Sequence, residues 1–191
     1  MKKFILILCI IFFGVSSANV AQAFEPDYRQ IYLDMEVPTF SYVHGIDPMQ
    51  YYDYKNTTYA PYPLFRLSST LYFKSVKVVP GYYELSPTTH KGTDYVLFKE
   101  NGLVRYIIPA YKKEIVPEGF YESHIPQPKL LVSQKLYKNF VNFVGKHIKS
   151  AQRKPTPGSY LEVNDLDNNF VQIVIYYGPF RYYLIFRTIQ L

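Results

Sequence analysis

The chain has 191 residues, with 21 Lys and Arg against 15 Asp and Glu, a formal charge of +6. A single cysteine excludes an internal disulfide framework and a cysteine-ligated metal. The surplus is aromatic, 21 Tyr and 14 Phe without Trp, and the apolar body and polar tip of tyrosine suit strands half exposed to water.

Residues 1–23 read as a cleavable export signal. Lys2 and Lys3 give a positive start, Phe4 to Val15 is an apolar run, and Ala21-Gln22-Ala23 offers the small-x-small pattern that signal peptidase accepts. The run falls well short of the roughly 20 residues that span a bilayer, and no later stretch reaches that length. The expectation is a bacterial, periplasmic or extracellular protein whose mature chain starts near Phe24. Cys9 lies inside the signal, and Leu6-Ile7-Leu8 before it lacks the small residues of a lipidation site. The mature chain is therefore expected to be cysteine-free and untethered. With Lys2 and Lys3 gone, 19 cationic residues face 15 acidic ones, a balance that favours anionic surfaces weakly and gives no case for nucleic acid.

Residues 24–63 read as an irregular Tyr- and Pro-rich arm. Pro26, Pro38, Pro48, Pro61 and Pro63 interrupt any long element and leave short extended pieces such as Ile31 to Val37 and Thr39 to Val43. Tyr51, Tyr52, Tyr54, Tyr59 and Tyr62 crowd one stretch. Such rings either stack on a glycan or anchor a protein partner, or they seal the arm onto the rest of the domain. The asparagine of Asn56-Thr57-Thr58 matches a glycosylation pattern that carries no weight in a bacterial protein.

Residues 64–191 read as one β-rich domain. Thr70 to Val79 is β-branched and aromatic and is expected to form one strand, ending at Pro80-Gly81. Tyr82 to Leu85 is a short strand closed by the turn-rich run Ser86 to Gly92. Asn101-Gly102 lies between two apolar runs, the pairing that favours a two-residue type I′ hairpin turn. An unbroken register then sets Glu100 opposite Leu103, Phe98 opposite Arg105, Leu97 opposite Tyr106, Val96 opposite Ile107 and Tyr95 opposite Ile108. Both faces of that hairpin are largely apolar, so it is expected at the centre of the structure, covered on each side.

Pro109, Pro117, Pro126 and Pro128 predict an irregular connection from Tyr111 to Lys129. A helix follows over about 134–152. Leu136, Tyr137, Phe140, Val141, Phe143, Val144, Ile148 and Ala151 share one face at 3.6-residue spacing, and Lys135, Lys138, Asn142, Lys146, Lys149 and Arg153 lie opposite. Ser133 is the expected N-cap and Pro155 the stop. The predicted role of the apolar face is to pack on the sheet. The cations Lys135, Lys138, Lys146, Lys149 and Arg153 are then either a solvated outer face or a site for an anionic lipid, lipopolysaccharide or acidic partner.

Asp165-Leu166-Asp167-Asn168-Asn169 resembles the start of a calcium loop, but Phe170 stands where that loop needs glycine and Tyr176 where it needs glutamate. It reads as an Asx-rich turn. Phe170 to Tyr177 and Phe180 to Ile189 flank Gly178-Pro179 as a closing hairpin. The fold class is α+β: a mainly antiparallel sheet, hairpins at Asn101-Gly102 and Gly178-Pro179, and one long amphipathic helix packed on it.

No chemistry announces itself. His44, His90, His124 and His147 are scattered without metal-ligand spacing, and His147 falls on the apolar helix face, where burial is expected. There is no nucleophile elbow, no Ser-x-x-Lys motif and no phosphate-cradling glycine loop. Neither a catalytic residue, nor a metal ligand, nor a cofactor is assigned. The function expected is an exported, non-catalytic binding domain for a protein, glycan or anionic surface of the cell envelope. A hydrolase of an envelope polymer is the alternative, and would need His124 beside an acid or a pocket holding two carboxylates. A structural subunit is the third reading, and would need an open edge such as the last strand.

Overall fold

The computed structural model of the protein describes residues 26–50, 62–126, 130–148 and 157–190. The expected signal, Cys9, Tyr51, Tyr52, Tyr54, Tyr59, Lys149 and Arg153 lie outside the described residues. In chain order the elements are α1 (Tyr28–Asp34), a 3-10 turn (Val43–Gly45), β1 (Leu64–Leu67), β2 (Leu71–Phe73), β3 (Val76–Val78), β4 (Gly81–His90), β5 (Thr93–Glu100), β6 (Leu103–Pro109), β7 (Lys112–Ile115), α2 (Phe120–His124), α3 (Val132–His147), β8 (Ser159–Leu166), β9 (Phe170–Tyr177) and β10 (Phe180–Arg187).

The strands form two antiparallel sheets. The first runs β1-β4-β5-β6; the second runs β3-β2-β10-β9-β8, with β7 also paired to β10. Phe65, Tyr83, Leu85, Val96, Phe98 and Ile108 from the first sheet meet Leu71, Phe73, Ile173, Ile175, Leu184 and Phe186 from the second in one buried cluster. Phe98 and Phe186 touch edge to face across it, 6.0 Å between centroids. The mainly antiparallel architecture is as the sequence predicts, and both hairpin turns fall where expected: Asn101 and Gly102 both take positive φ, and so does Gly178.

The hairpin register is not as predicted. A bulge between Phe98 and Lys99 sets Phe98 opposite Tyr106 and Val96 opposite Ile108. In the unbroken register Arg105 would share the core face with Phe98; the extra residue turns Arg105 out to Glu100 and brings Tyr106 and Ile108 in. Burial of the apolar pair decides the register.

Three further expectations are corrected by turn chemistry. Thr70 to Val79 is not one strand but the β2–β3 hairpin, whose turn places Lys74 at φ 49°, a position with no glycine or asparagine to mark it. Ser86 to His90 belongs to β4, and the turn shrinks to Lys91-Gly92. Pro87 is tolerated because β1 starts at Leu64, opposite Glu84, and beyond it only Leu85 N–H reaches back to the Pro63 carbonyl. The connection after Pro109 carries β7 and α2, with Tyr111 N–H bonded to the Tyr183 carbonyl as the chain changes sheets.

Two helices also differ from expectation. Ile31 to Asp34, predicted as extended, belongs to α1, which starts at an Asp27 cap whose carboxylate accepts the Gln30 N–H. Its end is held by the Lys74 ammonium, which donates to the Leu33 and Met35 carbonyls. Helix α3 has sixteen residues and ends at His147, shorter than the predicted span, and Leu131 rather than Ser133 is its N-cap.

Candidate functional site

Helix α3 does not pack its apolar face on the sheet. None of its residues is buried, and Leu136, Tyr137, Phe140 and Phe143 are each 62–65% exposed. The reason lies in the sheets. Their facing sides form the core, and the outer side of the second sheet is covered by other groups. Tyr32 of α1 packs edge-on against Phe170 at 5.4 Å. Tyr111 accepts a hydrogen bond from Gln172 at 2.7 Å. Phe120 of α2 stacks on Tyr176 at 4.2 Å, nearly parallel.

What α3 offers is therefore a bare amphipathic surface. Lys135, Lys138 and Lys146 lie on it; Lys149 and Arg153 follow beyond the described residues. The chain around it is one-signed: between Glu122 and Glu162 there is no Asp or Glu, while Lys129, Lys135, Lys138, Lys146, Lys149, Arg153 and Lys154 supply seven cations. His147 is exposed beside Phe143, 4.7 Å between ring centroids, and not buried as expected. The helix begins with the Leu131 N–H donating to the Gln134 side chain, half of a capping box.

Tyr62, the described member of the tyrosine cluster, is not available to a ligand. It is buried against Tyr177, 4.7 Å between centroids, with Lys99 Nζ 5.5 Å from its ring.

A polar network crosses the outer face of the second sheet. Glu114 accepts from Lys112 and Arg181, both at 2.7 Å, and from the Tyr183 hydroxyl at 2.6 Å. The Lys112 and Tyr183 bonds hold its carboxyl down at about 2. Burial pushes the Tyr111 and Tyr121 hydroxyls up to about 12. Beside α1 this face carries a groove of about 610 Å³ lined by Tyr28, Ile31, Met35, Tyr111, Gln172 and Tyr183.

The histidines assemble no acid–base pair among the described residues. His124 stacks on Phe120 at 4.0 Å, and its Nδ1 lies 2.9 Å from Ser123 Oγ and from the Phe120 carbonyl. The Ser123 hydroxyl is directed to the Phe120 and Gly119 carbonyls, and no carboxylate of the described residues hydrogen-bonds the ring. His90 stacks on Phe40 at 4.1 Å. His44 sits exposed in the 3-10 turn at φ 53°. The last strand is not an open edge: β10 pairs with β9 on one side and with β7 and β2 on the other.

Sequence reasoning passed over the buried ion pair of Lys99 with Asp47. Its signal was present. Lys99 alternates in step with Tyr95 and Leu97, so a charge stands at an apolar position of β5.

Fold and site together define a class: a two-sheet antiparallel β domain carrying an external cationic amphipathic helix. No protein-family model, no curated protein and no solved structure matches the chain significantly.

Proposed function

We propose that this chain is an exported, non-catalytic binding domain that docks on an anionic lipid surface of the cell envelope through α3. The single observation carrying this reading is the exposure of Leu136, Tyr137, Phe140 and Phe143 on a helix flanked by cations alone. A helix of this kind lies in the headgroup plane, its apolar side sunk among the acyl chains and its lysines over the phosphates. Each cation near such a surface contributes about 1 kcal/mol, and burial of the apolar side adds to it. Export is supported by the Lys2-Lys3 start, the short apolar run and Ala21-Gln22-Ala23.

The test is co-sedimentation of the protein with phosphatidylglycerol-containing and with purely phosphatidylcholine vesicles, at low and high salt. Pelleting is expected with the anionic vesicles. It should weaken as salt shortens the screening length from about 10 Å at 0.1 M to about 3 Å at 1 M. Phe140→Ser with Phe143→Ser should abolish it. A protein that stays in solution with anionic vesicles at low salt overturns the proposal, as does binding that the double variant leaves intact.

A further inference from the structure

Beneath the segment 40–50, on the outer face of the first sheet, two opposite charges are shut away from water. Lys99 Nζ lies 2.7 Å from Asp47 Oδ2, with the side chains 1% and 5% exposed. Among the described residues Lys99 Nζ has no hydrogen-bond partner, so its contact with Asp47 is an ion pair only. The other carboxylate oxygen of Asp47 is taken by the Met49 N–H at 3.0 Å. An ion pair so placed is poorly compensated. Each buried charge costs desolvation, and geometry or further hydrogen bonds must offset it.

We propose that Lys99 and Asp47 are joined by an intramolecular isopeptide bond. The amine nitrogen and the carboxyl group are held in contact, which supplies the proximity such a condensation needs. The site is dry, which protects the product from hydrolysis. A third group is at hand: Glu84 pairs with Lys99 across β4 and β5 and so projects from the same face of the sheet.

The step balances as follows. A proton passes from the Lys99 ammonium to the Asp47 carboxylate, leaving a free amine and a carboxylic acid. Nζ attacks Cγ, and the N–Cγ bond forms. Glu84 takes a proton from nitrogen and returns it to the departing hydroxyl, the Cγ–O bond breaks, and one water leaves. No oxidant or further reactant is required. Two buried charges become one neutral amide, which removes the cost that the ion pair carries. The product staples the segment before β1 to the C-terminal end of β5, in a chain whose one cysteine is Cys9.

Tryptic digestion of the full chain with tandem mass spectrometry tests this directly. The bond predicts a branched peptide joining residues 30–55 to 92–105, one water lighter than the two together, because an acylated Lys99 is not cleaved. Separate peptides 30–55 and 92–99 in the wild-type protein would overturn it. Lys99→Arg keeps the charge and should yield no branch. Glu84→Gln should slow the branch by about 100-fold, the scale of one general acid–base group. Branching in Glu84→Gln at the wild-type rate would remove Glu84 from the mechanism.

Discussion

Glu114 shows how one carboxylate organises a sheet face. It lies opposite Arg181 in the β7–β10 ladder, and it receives three donors from Lys112, Arg181 and Tyr183. Its carboxyl is depressed to about 2 from 4.5. The unfolded chain therefore binds the proton more readily than the fold does, so this group stabilises the protein fully above about pH 4.5. That contribution is lost as pH falls towards about 2. In Glu114→Gln the neutral amide keeps the shape without the charge. Unfolding free energies from urea titration of wild type and variant should differ by about 1 kcal/mol at neutral pH, the upper range for a partly exposed network. The gap should close as pH approaches 2. A gap that persists at low pH would mean the loss is steric rather than electrostatic.

At the scale of elements, α2 packs tightly on the loop before β8. Gly158 lies under Tyr121, and a β-carbon there would sit 2.8 Å from the ring. Tyr121 is pinned in place, because its hydroxyl donates to the Gly178 carbonyl at 2.8 Å, and Gly178 in turn donates to the Gly158 carbonyl at the same distance. Gly158→Ala should cost about 1–3 kcal/mol through this clash, although the residue lies outside every strand. Thermal unfolding measures it; an unchanged midpoint would show that Tyr121 moves aside freely. Elements of this kind were the hardest to read in the sequence. Asn101-Gly102 and Gly178-Pro179 declare their turns through residues that accept positive φ. Lys74 takes the same region without such a residue, because the partner strands and the carbonyls of α1 hold it there. The bulge that expels Arg105 is likewise decided by the opposite sheet, which needs Tyr106 and Ile108 facing it.

For the whole molecule, the apolar runs flanking Asn101-Gly102 and Gly178-Pro179 were enough to place β5, β6, β9 and β10, whereas only the first half of β4 was read as strand; the candidate cations of α3 were legible from helical spacing alone. The destination of the helix was not. A 3.6-residue apolar stripe states that a face must be covered, and leaves open whether a sheet of the same chain or something else covers it. Here Tyr32, Tyr111 and Phe120 already occupy the second sheet, positions that only the tertiary structure brings together. This difference separates two kinds of phenylalanine. Phe98 is fully buried between the sheets, touching Phe65, Tyr83 and Phe186, and Phe98→Ala should cost about 3–5 kcal/mol. Phe140 and Phe143 are more than 60% exposed, and replacing both with Ser should shift stability by less than about 0.5 kcal/mol each. Denaturant unfolding of the three variants tests the division. If Phe140→Ser destabilises the domain as Phe98→Ala does, then α3 belongs to the core and its face is not free for a bilayer. If it leaves the midpoint where it was, the hydrophobic residues of α3 serve something other than this fold.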